Sequence, residues 1–332
     1  MNPFQKWLQA LKDFLAGLPK PTPAPRGDGD MLFEIVHYPE QTMGSTIGIA
    51  PIDGSSPPVE LTERGYRDWG PHPSPDGQTI LFYRDAIGHR GSLAQEVWLM
   101  DPDGANKRMF WEKGQWGFTD AGHFEFSPDG TEFCFAANHK ETKSFAIYTI
   151  GVDGTGVDQI TTGNEGLDAD PAWLPDGRIV FTRRLVVPSN KWGVWPHSQE
   201  VHLIDADGDN LERLTWDEKE GIEPEAEWDV FCSPDGERFV MLRMSSDLSL
   251  SPFDNWVMNL DGSDRRCVWN GQTDGGVGVA RWMKDSKRVL TYRWGRHGFD
   301  TVLYDVDKPD VKTVILASTP TSGFRQPIQL PR

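Results

Sequence analysis

Cysteine is scarce in this 332-residue chain: only Cys134, Cys232 and Cys267 are present. Three separated thiols supply neither a disulfide framework nor a paired CxxC metal site. Each stands in an apolar, strand-like run, so all three read as buried free thiols. No run of 18 apolar residues occurs, which excludes a membrane-spanning helix. The N-terminus lacks the apolar core and small-residue cleavage site of a leader. The expected compartment is therefore the cytoplasm, with a periplasmic or secreted mature form as the alternative. Basic residues are outnumbered: 33 Lys and Arg against 50 Asp and Glu give a formal charge of −17 and a pI near 4.8. That balance excludes the basic footprint of nucleic-acid binding and suits neutral, cationic or metal partners. GxSxG, HExxH and P-loop motifs are missing, and the glycine-rich run at 275–280 lacks dinucleotide spacing.

Turn formers are plentiful, with 34 Gly and 25 Pro, so many short elements are expected. SPDG stands at 74–77, 127–130 and 233–236, LPDG at 174–177 and a worn MKDS at 283–286. An alternating, β-branched and aromatic run follows each, as in "QTILFYRD" and "RIVFTRR", the pattern of a half-buried strand. Pro presets φ, Asp bonds its own backbone and Gly accepts positive φ, so PDG is a hairpin device rather than a catalytic motif. A second series of DG turns ends at Gly54, Gly104, Gly154, Gly208 and Gly262, in steps of 50, 50, 54 and 54 residues, with "DVDKPD" at 305–310 as a worn sixth copy. Each unit of about fifty residues thus holds four strands, the content of a propeller blade. Six DG turns against five PDG-type turns leave one blade without its inner strand, and "TSGFRQPIQL" at 321–330 supplies it. The expected architecture is all-β, a six-bladed β-propeller over 31–330, closed by pairing of the N- and C-terminal strands.

"DADPAWLPDGRIVFTR" and "HLIDADGDNLERLT" make the chain resemble the TolB-like β-propellers, a WD40-like repeat family. In that repeat a Pro-x-Trp-Ser-Pro-Asp-Gly strand and turn precedes an Asp-x-Asp-Gly turn and a Leu-Thr strand. The resemblance covers about 31–330, nearly the whole chain. It implies the propeller fold. It leaves function among a role like that of periplasmic TolB, a non-catalytic module beside a peptidase, and a scaffold for oligogalacturonate lyase.

The PDG turns are short and uniform, so binding is expected at the opposite, irregular face. On that face Asp68, Asp168 and Glu227 share one offset from the turn glycine, with Asp120 one residue away, and His123, Asp170 and Asp229 share the next. Equivalent offsets in different blades place carboxylates in a ring around the axis. Such a ring is hydrated, neutralised by residues such as Arg67 and Arg325, or bound to a divalent cation, calcium or manganese. Trp192, Trp195 and His197 lie on the longest loop, 185–199, where they stack on a ligand or cap their own loop. His72, His123, His197 and His297 fall near this face, and an enzyme would need several of them around one ion. Before the propeller, Phe4, Trp7, Leu8, Leu11, Phe14, Leu15 and Leu18 form one stripe of an amphipathic helix within 1–18, followed by a Pro- and Gly-rich linker at 19–30. Its stripe suits docking on the propeller or a partner better than a membrane surface. The function expected is a non-catalytic recognition module binding a protein or carbohydrate on the acidic, aromatic face. The alternative is a metal-dependent oligosaccharide lyase on the same face.

Overall fold

A computed structural model describes residues 29–39, 43–88, 96–141, 144–184, 199–215, 226–244 and 253–331. The expected N-terminal helix, and Trp192, Trp195 and His197, lie outside these residues.

Strands dominate. Among the described residues six strands organise them, called inner strands below: β1 (Arg67–Pro73), β2 (Phe118–Phe126), β3 (Leu167–Trp173), β4 (Ala226–Cys232), β5 (Arg281–Trp282) and β6 (Ser322–Gln329). From β1 to β5, each begins an antiparallel ladder that continues through the next three strands in sequence. The β6 strand instead pairs with Asp30–His37, which pairs in turn with Ser45–Pro51 and, beyond it, Val59–Glu60. The two ends of the chain thus share one sheet, in the register Met31↔Gln329 to His37↔Ser322.

The repeated turns close these ladders by a common chemistry. In the first, Gly77 N–H donates to Ser74 O at 2.8 Å with φ +66, and Ser74 Oγ donates to Asp76 Oδ1 at 2.6 Å. Ser127 and Asp129 repeat the contact at 2.7 Å. The DG glycines have a second duty. A Cβ on Gly104 would stand 2.5 Å from Leu61 O, just after the strand Val59–Glu60 of the neighbouring sheet. Glycine is needed there for its positive φ and for the close approach of backbones.

Apolar side chains fill the space between neighbouring sheets. Leu81, Val97 and Trp111 meet Phe124, Phe133 and Phe135 between the first two, and Cys134, Ile147 and Ile160 meet Ile179 and Phe181 between the next. Comparable clusters join the third sheet to the fourth, the fourth to the fifth, the fifth to the one holding both termini, and that one to the first. The thiol expectation holds only in part: Cys134 is buried and Cys232 half-buried, but Cys267 is exposed. It stands on an outer strand, Arg266–Trp269, where alternation turns every second side chain to solvent.

Candidate functional site

Asp68, Asp168 and Glu227 are buried and do not form an open carboxylate ring; this corrects the sequence expectation. Arg84, directly across the ladder from Asp68, donates Nε and Nη2 to its two carboxylate oxygens at 2.7 Å each. Arg183 clamps Asp168 in the same way at 2.6 and 3.0 Å. Arg265 donates to Glu227, whose other oxygen accepts from Thr215 Oγ1 at 2.7 Å. Arg325 is likewise taken up by Glu34, at 2.7 and 2.8 Å, and Arg67 by Asp85 at 3.0 Å. Burial, the larger influence, holds the Asp68 carboxyl above its ordinary value although Arg84 pulls it down. A bidentate pair of this kind fixes geometry, so these residues tie strands together inside their own sheets. Asp120 is a partly exposed ion-pair partner of Lys113 at 2.6 Å.

The second offset behaves differently. Each of β1, β2, β3 and β4 carries a bulge: two residues oppose one between Trp69 and His72, Gly122 and Glu125, Ala169 and Ala172, and Trp228 and Phe231. The first residue of each bulge has positive φ: Gly70 at 58, His123 at 55, Asp170 at 50 and Asp229 at 48; Gln326 in β6 repeats it at 52. The extra residue bends the strand and re-aims its side chain. All five line a single cavity of about 60 Å³ together with Val279, so every inner strand, or the residues just before it, reaches the same space.

Three of these side chains converge. His123 Nε2 lies 3.2 Å from Asp170 Oδ1, and His123 Nδ1 lies 3.8 Å from Asp229 Oδ1. One nitrogen or oxygen from each residue falls within 4.8 Å of the others. Asp170 is also held by Thr182 Oγ1 at 3.2 Å and Gln199 Nε2 at 3.4 Å. Burial, then the charge of Asp170, pushes the Asp229 carboxyl up to about 6 against the pull of His123.

Two residues further along the strands lies a second group in the same cavity. Arg281 Nη1 meets Glu125 Oε1 at 2.6 Å, and His72 Nδ1 meets the same oxygen at 3.1 Å. The guanidinium lies over the Phe231 ring, 3.4 Å from its centroid. Burial would raise the Glu125 carboxyl, but Arg281 and then His72 bring it down to about 2. Of the four histidines assigned to this face, His72 and His123 line the cavity, whereas the His297 backbone N–H bonds Ser318 Oγ at 3.3 Å away from it. Glu125 and Arg281 escaped the sequence reading, although each stands five residues before its turn position, Gly130 or Ser286, as His72 stands before Gly77.

No family model matches the chain. An uncharacterized protein of Agrobacterium fabrum is 39% identical over 89 residues, covering 25% of this chain and 29% of that one. The Tol-Pal system protein TolB of Rhizorhabdus wittichii is 38% identical over 65 residues, 20% of this chain and 14% of its own. The chain therefore spans less than a third of either curated relative. Among solved structures, TolB of Acinetobacter baumannii superposes with a TM-score of 0.70 at 18% identity, over 97% of this chain and 70% of that one. An oligogalacturonate lyase in complex with manganese superposes at 0.53 and 13% identity, over 82% and 71%. The chain has the fold of a TolB-like β-propeller.

Proposed function

We propose that the chain is a closed six-bladed propeller acting as a non-catalytic recognition module, its ligand engaged at the cavity end that carries His123, Asp170 and Asp229. Six apolar clusters join consecutive sheets, the last returning to the first, which supports the closed ring. The observation that carries the recognition reading is the disposition of the acidic groups. Asp68, Asp168, Glu227 and Glu34 are held in arginine clamps, and Glu125 by Arg281. Asp170 and Asp229 are left facing a cavity with only an imidazole between them. An acidic recess on a rigid ring favours a cationic group of a partner. The likeness to TolB supports a protein as that partner and the periplasm rather than the cytoplasm as the compartment; a carbohydrate ligand is the second choice.

The lyase alternative has one supporting observation, the superposition on the manganese-bound lyase. It is tested first: purified protein with manganese and uronate oligosaccharides is expected to form no unsaturated product. A product lost in His72→Ala would replace recognition by catalysis. The positive test places a photo-crosslinking residue at Asp229 and, separately, at Asp129 on the turn face. A partner that crosslinks at Asp229 alone, and whose purified form loses affinity for Asp229→Lys, supports the reading. Crosslinking at Asp129 alone contradicts it.

A further inference from the structure

We infer that His123, Asp170 and Asp229 form a binding site for one divalent transition ion of the manganese or zinc class. The inference goes beyond the recognition role and does not depend on it.

The three residues come from three consecutive inner strands, and each sits at the first position of a bulge with its backbone held at positive φ. One ligand atom from each lies within 4.8 Å of the other two. Metal–nitrogen and metal–oxygen bonds of about 2.0 to 2.2 Å put neighbouring ligands roughly 3 to 4 Å apart. The 3.2 Å separation of His123 Nε2 and Asp170 Oδ1 is already of that size, and an Asp229 oxygen lies within 4.8 Å of one ligand atom of each of the other two.

The chemistry of the cavity points the same way by two independent observations. The first is charge. Within it, Arg281 pairs with Glu125, while no arginine or lysine among the described residues forms an ion pair with Asp170 or Asp229, whose partner is His123; the charges of Arg184 and Arg281 reach these two carboxylates only at longer range. A divalent cation balances that pair. Six other buried carboxylates, Glu34, Asp68, Asp85, Asp168, Glu200 and Glu227, each have an arginine, so the fold does neutralise such groups elsewhere. The second is hydrogen bonding. No hydrogen bond to the Asp229 carboxylate is found among the described residues; its ion-pair contact is His123 Nδ1 at 3.8 Å, with 20% of its side chain exposed. A mostly buried carboxylate that lacks protein donors takes them from water or from an ion. The donor set then selects the class of ion. Calcium and magnesium take shells of oxygen, whereas one imidazole with two carboxylates suits manganese or zinc. Three protein ligands leave positions open for water.

The test uses the full chain, stripped with chelator, and manganese alone, then zinc alone. Calorimetric titration is expected to give one equivalent of saturable binding, and electron spin-echo modulation of the manganese sample is expected to show an imidazole nitrogen. Asp229→Asn and His123→Gln should each weaken binding at least tenfold. Asp229→Asn should melt no lower than the parent in chelator, which separates lost ligation from lost folding. Four results would overturn the site: no saturation at millimolar metal, binding unchanged in both variants, a manganese signal without coupled nitrogen, or calcium bound as tightly as manganese.

Discussion

Replacing Arg84 by Leu should destabilise the protein far more than a surface change would. In the native state Arg84 donates both ends of its fork to Asp68, which is fully buried, and a third nitrogen to Glu63 at 2.9 Å. The aliphatic replacement keeps much of the stem's packing but leaves a carboxylate without its cation. Breaking a buried pair from one side costs about 3–5 kcal/mol. Ser45 is bonded to the Asp68 backbone rather than its side chain, so the Thr62 hydroxyl is the donor that remains at the stranded charge, and a loss of about 3 kcal/mol is expected. The loss should depend on pH. The Asp68 carboxyl already lies above its ordinary value, and without Arg84 it lies higher still. A group whose folded pKa is raised favours the folded state when protonated, and that benefit disappears as pH rises through the folded pKa. The deficit of the variant should therefore be full at pH 7.5 and shrink on acidification toward pH 5. Urea unfolding at both values measures it. A loss below about 1 kcal/mol at pH 7.5, or one that grows on acidification, would refute the reading of Asp68 as a structural clamp residue.

Other consequences are as direct. Glu125 should remain ionised well below the ordinary carboxylate range; its folded pKa of about 2 lies under its unfolded value, so it adds stability above the latter that is lost only as pH falls through the former. Carboxylate infrared bands of the parent and Arg281→Ala should show that titration move upward in the variant; an unmoved band would count against the Arg281 contact. Gly104→Ala should cost about 2 kcal/mol in thermal or urea unfolding, because its φ is +81 and the added Cβ meets Leu61 O at 2.5 Å; a neutral change would mean the turn relaxes freely. Among the thiols, Cys267 should react with an alkylating reagent in the native protein and Cys134 only on unfolding, as mass spectrometry of timed samples would show.

Much of the fold was legible because turn chemistry is local. Each PDG or DG copy marks a hairpin through its own backbone, and the spacing of about fifty residues counts the units without any tertiary information. The terminal pairing of Ser322–Gln329 with Asp30–His37 followed from a missing strand. The site was half legible. His123, Asp170 and Asp229 share an offset in the sequence and share a cavity in the fold. Asp68, Asp168 and Glu227 also share an offset, but plain alternation put them on the axis. The bulge intervenes between the two sets, and one extra residue exchanges faces along a strand. Its trace in the sequence is the proline after the bulged position, in Pro71, Pro171 and Pro327, since proline inside a strand marks a bulge or an edge. The clamps had a trace too: an arginine six or seven residues beyond the turn glycine, as Arg183 follows Gly177 and Arg84 follows Gly77. Glu125 and Arg281 share with His72 an offset of five residues before the turn position, but that offset does not say that the three meet at one carboxylate across the axis.

Anomalous diffraction at the manganese edge, from crystals of the chelator-stripped protein soaked in that metal, bears most directly on the division between the two sets of carboxylates. One peak among His123, Asp170 and Asp229 is the expected result. A peak at Asp68, Asp168 or Glu227 would show that these residues are ligands rather than partners of arginine, and would contradict the assignment.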